Sequence, residues 1–338
     1  MDDATPGGAV RWGILGAGAI AATVAADIAA TDGARLFAVA ARDATRAADF
    51  AAEHGVARSH GSYGELVADP DVDVVYVATT HGQHHEHALL ALGAGKPLLV
   101  EKAFTLNARQ AREVVAAARA RGLFCMEAMW PRLDPLWLRA RDLVHDATIG
   151  DVVSVRADLS RRFPFDPSHR LFDLAAGGGA LLDLGVYPAA FVWSLLGRPD
   201  TVHAAGTLAP TGADLTVAMQ WGYPDGRVAQ LHVSAAAASP AGALVVGTEG
   251  WFALEPRLHR PQRLVLTVGD ETTVVEAAAG PGNGYRREVA EVTARLRAGD
   301  TESPHVPLDD TVGILEVLDE ARRQVGARYP ADADGSPV

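Results

Sequence analysis

Short apolar runs alternate with segments of helical periodicity through the first 127 residues of the chain. The apolar runs at 12–15, 35–41, 74–78, 97–100 and 123–126 are predicted strands, and 20–30, 44–54, 84–92 and 108–121 are predicted helices. Strands that alternate regularly with helices pair in parallel through right-handed crossovers. This half is therefore predicted to be an α/β domain built on a doubly wound parallel sheet.

The pattern changes after about residue 150. Predicted strands follow one another at 152–159, 201–208, 215–221, 228–235, 244–247, 251–254, 264–268 and 272–276, with Gly, Pro and Asp turns between them. Predicted helices lie at 136–144, 179–196, 284–296 and 309–325. Successive strands joined by short turns predict an α+β domain with an open, mostly antiparallel sheet. A chain of 338 residues is longer than a single hydrophobic core usually supports, so we expect two domains, at 10–128 and 129–330.

Composition excludes several classes of partner. Hydrophobic residues make up 49% of the chain, which is typical of a folded protein, and the net charge is −12. Such a surface repels nucleic-acid phosphates and anionic lipid, so we expect neither nucleic acid nor membrane as a partner. The single cysteine, Cys125, excludes an internal disulfide and a CxxC metal site, and fits a reducing cytoplasm.

A glycine turn joins the first predicted strand to the first predicted helix. Gly16 permits the tight turn, Gly18 lets the backbone approach a pyrophosphate, and the small Ala21 allows close packing of helix on strand. Backbone N–H groups of Ala19 and Ile20 begin the helix, where its partial positive charge favours phosphate. Placed at this junction, the GxGxxA pattern predicts a dinucleotide-binding domain of the Rossmann type rather than an ordinary turn.

The end of the second predicted strand indicates which dinucleotide is bound. An NAD site usually has an acidic residue there, whereas this strand ends at Arg42, which can pair with a 2′-phosphate. Asp43 comes one residue late and is predicted to cap the next helix. We therefore expect NADP(H), with NAD as the alternative if Arg42 is merely a solvated arginine.

Three further segments carry a family resemblance. They are ATTHGQH at 78–84, GKPLLVEK at 95–102 and GGGALLDLGVYP at 177–188. Together with the glycine turn they resemble the glucose-fructose oxidoreductase / inositol dehydrogenase / rhizopine catabolism (Gfo/Idh/MocA) family. The segments MEAMWPR at 126–132 and SPHVPL at 303–308 are similar to its branch of dimeric dihydrodiol dehydrogenases and bacterial pentose (xylose) dehydrogenases.

The resemblance implies an NAD(P)-dependent dehydrogenase or reductase acting on a secondary alcohol of a sugar, cyclitol or vicinal diol. The lysine of the family's Glu-Lys-Pro motif falls on Lys102, and its Asp-x-x-x-His/Tyr motif falls on Asp183 and Tyr187. The cofactor-binding positions implied outside the glycine turn and Arg42 are Thr79, His81, His84, Glu101 and Lys102. Where the family has proline after the lysine, this chain has Ala103, and we expect a trans peptide bond there.

Hydride transfer needs a group that takes the hydroxyl proton. Tyr187 lies four residues after Asp183 on a predicted helix, and a phenol with a pKa near 10 is a poor base alone. An adjacent ammonium such as that of Lys102 favours the phenolate. We expect Tyr187 to be the proton acceptor, Lys102 to activate it and hydrogen-bond the substrate oxygen, and Asp183 to orient the substrate or Lys102. The alternatives are that Lys102 is the base, or that both are ordinary surface and core residues.

A cluster of histidines raises a metal alternative. His81, His84, His85 and His87 have helical spacing, but metal sites usually add a carboxylate or thiolate from elsewhere in the chain and a buried setting, whereas this cluster follows a strand at the cofactor edge. We expect no metal. His84 is predicted to contact nicotinamide or substrate, and His85 and His87 are predicted to be exposed helix residues.

Aromatic and basic residues are the candidates for the substrate pocket, because aromatic faces suit the CH faces of a sugar or arene-derived diol. They are Trp130, Arg162, Phe163, Phe165 and His169. The open sheet predicts a homodimer formed through its uncovered face. The alternative functions are a catalytically silent NADP-binding sensor or scaffold, and a metal-dependent hydrolase that uses the histidines.

Overall fold

The computed structural model describes residues 8–278 and 284–333, which form two compact units. The first unit contains residues 8–130 and 284–311, and the second contains 131–278 and 312–333. Residues 284–311 thus belong to the first unit, which the sequence pattern did not indicate. No helix in these described ranges is long and apolar enough to cross a bilayer.

The first unit is built on a six-stranded parallel sheet. Its strands are β1 (Val10–Leu15), β2 (Ala34–Ala40), β3 (Arg58–His60), β4 (Val74–Val77), β5 (Leu98–Glu101) and β6 (Cys125–Ala128). They lie in the order β3-β2-β1-β4-β5-β6. Successive strands are therefore added first on one side of β1 and then, from β4 onward, on its other side. Ligands of doubly wound folds bind at the carboxyl ends of the strands beside such a change of side. The predicted parallel sheet is confirmed.

Helices cover this sheet. They are α1 (Ala19–Ala29), α2 (Ala44–His54), α3 (Tyr63–Ala68), α4 (His81–Gly93) and α5 (Ala108–Arg121). The sequence analysis missed β3 and α3. The strand is a polar stretch of three residues that exists through its pairing with β2, and α3 is too short to show a helical period.

The second unit carries an eight-stranded sheet. After α6 (Pro135–His145) come β7 (Val152–Ser160), α7 (Val186–Leu196), β8 (Thr201–Leu208), β9 (Asp214–Gly222), β10 (Val228–Ser234), β11 (Ala243–Gly247), β12 (Gly250–Glu255), β13 (Arg263–Val268) and β14 (Glu271–Glu276). The order is β14-β13-β12-β11-β7-β10-β9-β8, and β7 with β10 is the parallel pair of an otherwise antiparallel sheet. The mostly antiparallel prediction is confirmed. Two helices complete the fold, α8 (Tyr285–Ala298) in the first unit and α9 (Leu308–Val325), which ends in the second.

One face of this sheet packs on helix and the other is open. In β10, Ala229, Leu231 and Val233 are buried, whereas Gln230 and His232 are exposed. Strict alternation of this kind is the mark of a sheet with one covered face.

The predicted helix at 179–196 is divided in the structure. Residues Leu181–Gly185 form a π-helical turn, and α7 follows from Val186. Such turns are rare inside helices and are frequent at functional sites.

Candidate active site

The glycine turn follows β1 directly. Gly16 has a φ of +109°, and a Cβ there would lie 2.9 Å from the carbonyl oxygen of Ala78. Its N–H donates to the carbonyl of Ala40 at 2.9 Å, which ties the turn to β2. Both the backbone angle and the close neighbour require glycine at this position.

Gly18 is not required by the backbone angle, and the space above it is open. It caps α1 with an extended φ of −103°, and a Cβ there would meet no protein atom within 4 Å. The first turn of α1, which begins at Ala19 and Ile20, has no acidic residue to repel an anion. Open space above unpaired helix N–H groups fits a dinucleotide pyrophosphate.

Arg42 and Asp43 lie at the end of β2 as expected. The carboxylate of Asp43 accepts the N–H groups of Thr45 and Arg46 at 2.8 and 3.2 Å, so its predicted capping role is confirmed. Arg42 is exposed, and its charge adds to burial in lowering the pKa of His87 on α4, against the opposite effect of Glu86. The charge of Arg42 is thus felt at His87 of α4.

Arg46 is a second arginine at this edge, one that was not predicted from the sequence. The guanidinium of Arg46 donates to the carbonyl of Ala17 from Nε at 3.1 Å and from Nη2 at 2.8 Å. The available signal was a basic residue in the first turn of the predicted helix at 44–54, close to the glycine turn at the same edge of the sheet.

The carboxyl end of β5 carries Glu101 and Lys102. Glu101 is 5% exposed, and its carboxylate accepts the hydroxyl of Tyr76 at 2.7 Å and the N–H of Lys102 at 3.0 Å. Burial, followed by the charges of Glu101 and Glu288, raises the pKa of Tyr76, which therefore remains a hydrogen-bond donor. Tyr76 lies in the strand predicted at 74–78, and nothing in the pattern distinguished it from its apolar neighbours.

Two histidines of α4 support the loop that follows Lys102. His81 Nε2 lies 3.1 Å from the carbonyl of Lys102, and His84 lies 2.8 Å from that of Ala103 and 3.1 Å from that of Thr79. His84 is fully buried, and burial lowers its pKa to about 4, so the neutral ring donates to one of its two carbonyls. The contact of His84 with nicotinamide stays a prediction. In the structure His84 holds the backbone at Ala103 and Thr79.

The other two histidines differ from their predicted exposure. His87 is 6% exposed, because the ring of Tyr63 from the unpredicted α3 packs on it at 4.5 Å and Thr79 Oγ1 lies 3.0 Å from its Nδ1. His85 is half-buried beside Glu113 of α5. Among residues 8–278 and 284–333, no cluster of His, Cys, Asp and Glu has the geometry of a metal site.

The peptide bond between Lys102 and Ala103 is cis, so the expected trans bond was wrong. That expectation used the intrinsic preference of a non-proline bond, which the surrounding structure can override. Here the carbonyls on both sides contact His81 and His84, and the next N–H, that of Phe104, donates to Glu127 at 3.1 Å.

The second unit carries Asp183 and Tyr187. Asp183 lies in the π-helical turn, is 5% exposed, and accepts a hydrogen bond from Arg170 at 3.1 Å. Tyr187 lies in the first turn of α7, is 7% exposed, and packs against the ring of His259 at 5.3 Å. Arg170 was missed because it lies on an irregular loop, where no periodic pattern marks a partner.

The loop that carries Arg170 also gathers three of the predicted substrate residues. Phe165 packs on Phe172 at 5.1 Å, and His169 lies 6.0 Å from Phe163 and 6.2 Å from Phe172. Arg162 is exposed on the same loop. Trp130 belongs to the first unit, where it is 3% exposed and packs against Tyr285 at 5.4 Å.

These features define an NAD(P)-dependent oxidoreductase. Residues 10–129 match the oxidoreductase family with an NAD-binding Rossmann fold, and residues 137–253 match the GFO/IDH/MocA C-terminal domain. The chain belongs to the Gfo/Idh/MocA oxidoreductase family, as the resemblance predicted.

Several relatives match almost end to end. Trans-1,2-dihydrobenzene-1,2-diol dehydrogenase of Mus musculus is 38% identical over 96% of this chain and 99% of its own length. The Homo sapiens protein of that name is 34% identical over the same shares. An aldose-aldose oxidoreductase from Caulobacter crescentus, solved with glycerol, has a TM-score of 0.85 at 25% identity, over 94% of this chain and 98% of that one. A levoglucosan dehydrogenase solved with NADH and levoglucosan shares the fold at a TM-score of 0.86 and 20% identity, over 94% and 97%.

Proposed function

We propose that this chain is an NADP(H)-dependent dehydrogenase that oxidises one secondary hydroxyl of a vicinal diol carried on an apolar ring. The observation that carries the proposal is the loop at 161–172, which carries a cluster of aromatic rings and the guanidinium of Arg170, the donor to the carboxylate of Asp183. The near full-length likeness to trans-1,2-dihydrobenzene-1,2-diol dehydrogenases supports it.

The first unit supplies the cofactor site. The first turn of α1 offers N–H donors to the pyrophosphate, and the exposed guanidinium of Arg42 pairs with the 2′-phosphate. When bound, the nicotinamide supplies the hydride acceptor. Glu101, held by Tyr76, is an oriented acceptor for ribose hydroxyls near the end of β5.

The protein's own chemical task is to remove the hydroxyl proton. We assign Tyr187 as the proton acceptor, with Lys102 as its activator and the hydrogen-bond donor to the substrate oxygen. His81 and His84 hold the backbone after Lys102 and so limit the positions its ammonium can take. These roles rest on the family motifs and on the surroundings of each residue within its own unit.

Asp183 orients the substrate. Its carboxylate is fixed by Arg170, and a charged acceptor at that place suits the second hydroxyl of a diol. Phe163, Phe165 and Phe172 on the same loop offer apolar faces to a ring. A sugar is the second candidate, favoured by the structural likeness to an aldose-aldose oxidoreductase.

We also propose a homodimer through the open face of the second sheet. Trp251 and Val274 are 38% and 50% exposed, and Trp251 lies beside Val246 in the register of β11 and β12. Apolar side chains on an uncovered sheet face favour a partner. Sedimentation velocity on the wild type and on Trp251→Glu tests this: a dimer that dissociates in the variant supports it, and a monomeric wild type contradicts it.

A substrate panel tests the function. Formation of the reduced cofactor, NADPH from NADP⁺ or NADH from NAD⁺, is followed with a trans-dihydrodiol of benzene, a cyclic vicinal diol without unsaturation, and an aldopentose. We expect the highest kcat/KM for the dihydrodiol with NADP⁺. A preference for the aldopentose would make the sugar the substrate, and no turnover of any compound would favour the silent sensor.

A further inference from the structure

Asp214 lies against the start of the helix that carries Asp183 and Tyr187. It begins β9, is 2% exposed, and its Oδ2 accepts the N–H of Leu181 at 2.6 Å. Its other oxygen, Oδ1, faces Gly179, where an added Cβ would lie 2.2 Å from it. That oxygen is buried and has no hydrogen-bond partner among the residues that the structure describes. The carboxylate therefore fills the inside of the turn that leads into the π-helical segment.

A second layer holds the same turn from the C-terminal side. Tyr329 donates its hydroxyl hydrogen bond to the carbonyl of Gly178 at 2.9 Å, and the buried Arg322 packs over the Tyr329 ring at 4.4 Å. Arg322 is itself paired with Asp332 and, at 2.8 Å, with Asp319. Arg322 is the cation that lowers the pKa of Asp214, and its charge is already balanced by the carboxylates of Asp319 and Asp332.

The turn also contacts the loop of the proposed substrate site. A Cβ on Gly178 would lie 2.7 Å from the carbonyl of Arg170 and 2.6 Å from that of Leu171. Arg170 donates to Asp183. The N–H of Asp183 donates to the carbonyl of Gly179 at 3.3 Å, so movement of the turn would displace Asp183 and press on the loop of Arg170.

We propose that Asp214 is a positioning residue of the reaction: its carboxylate holds the turn at 177–179 and the N–H of Leu181 so that Asp183, Arg170 and Tyr187 are correctly placed. The inference rests on the proposed function, because it assigns those three residues to the site. Asp214 itself touches neither substrate nor cofactor in this scheme and acts through the helix.

The ionisation of Asp214 makes the role measurable. Burial raises the pKa of its carboxyl to about 6, against the opposing effects of the Leu181 N–H, the Arg322 charge and the Ala180 N–H. The titratable groups linked to it are Arg322, Tyr329, Asp319 and Asp332. Below pH 6 the carboxyl takes up a proton and becomes a weaker acceptor, so the Leu181 N–H is held less firmly.

The test compares Asp214→Asn with wild type. Asparagine keeps the shape of the protonated acid but cannot ionise. We expect the kcat of wild type to fall as pH drops through about 6, by at least about tenfold. Asp214→Asn should have a lower kcat than wild type above pH 6 and should lack the ionisation near pH 6, and its KM for NADP⁺ should not change. Asp225→Asn, an exposed change in the β9–β10 turn, is the control and should match wild type.

Amide hydrogen exchange keeps the test independent of folding of the variant and of substrate choice. In wild type, peptides covering 179–187 should exchange faster at pH 5 than at pH 7.5 after correction for the intrinsic rate. Absence of that change, or a folded Asp214→Asn enzyme with the kcat and acid limb of wild type, would overturn the inference. If no diol or sugar is turned over, the proposed function fails, and the exchange measurement alone decides whether Asp214 holds the helix.

Discussion

Arg46 reaches from α2 to the carbonyl of Ala17, to which its guanidinium donates two hydrogen bonds. This contact ties the helix after β2 to the turn after β1. It places one cation on the turn itself, while Arg42 is exposed just before α2 begins. The two arginines are therefore expected to affect cofactor binding in different ways.

Arg42 is expected to select NADP⁺. Arg42→Ala should weaken NADP⁺ binding by about 1.5–3 kcal/mol, the scale of a hydrogen bond to a charged group, while hardly changing the affinity for NAD⁺. Isothermal titration with both cofactors measures this, with Arg139→Ala on α6 as the control. Equal losses for both cofactors, or no loss, would remove Arg42 as the selecting residue.

Arg46 is expected to act on both cofactors. Arg46→Ala removes the two donors from the Ala17 carbonyl and a positive charge from the same edge. NAD⁺ should therefore bind less tightly, because the turn is less well held, and NADP⁺ should lose more, because its phosphate also loses a nearby cation. The same titrations apply. An unchanged affinity for NAD⁺ would mean that the contact does not support the turn.

Substitutions at the two glycines of the turn should have different effects, one on cofactor binding and the other on stability. Gly18→Val should fold normally, since its Cβ has open space and its φ suits any residue, but its side chain would occupy the place of the pyrophosphate. Gly16→Ala should lower the melting temperature, because its φ is +109° and Ala78 lies in the way. Thermal unfolding and cofactor titration of both variants provide the measurement. A Gly18→Val protein that binds NADP⁺ like wild type would contradict the assignment.

Glu288 should make folding stability depend on pH. It is fully buried on α8 with neither carboxylate oxygen hydrogen-bonded, and burial, followed by the charges of Glu101 and Asp27, raises its pKa. The folded state then keeps a proton that the unfolded state has lost, so stability falls as pH rises above about 4.5. Glu288→Gln should remove this loss, which has a slope of about 1.4 kcal/mol per pH unit.

Urea unfolding of wild type and Glu288→Gln between pH 5 and 7 measures that slope. Glu53→Gln, an exposed change on α2, is the matched control and should leave the slope of wild type. Parallel curves for wild type and Glu288→Gln would show that Glu288 is ionised in the folded protein.

The parts of the fold that could be predicted from the sequence are those determined by residues close together in the chain. The alternation of strand and helix and the turn at Gly16 and Gly18 depend on neighbouring residues, so they were predicted closely. The role of Asp43 was predicted for the same reason, since an N-cap bonds within its own first turn.

The parts that were missed depend on contacts between distant segments. Arg46 meets Ala17, Arg170 meets Asp183, and Asp214 meets Leu181 only after the chain has folded. His87 was expected to be exposed because its burial depends on Tyr63, in a helix too short to show a period. The cis bond before Ala103 was missed for a related reason, as intrinsic preference does not include the neighbours of the loop.

The measurement closest to the central claim is the kcat of Tyr187→Phe and Lys102→Met with cofactor binding measured alongside. If Tyr187 is the proton acceptor, Tyr187→Phe should lose at least about 10²-fold in kcat while its affinity for NADP⁺ is retained. Lys102→Met should also lose activity, and the double variant should be little worse than either single one, because groups that act as a unit are not additive. The contradicting result is a Tyr187→Phe enzyme with most of its activity beside an inactive Lys102→Met enzyme, which would make Lys102 the base and Tyr187 a packing residue.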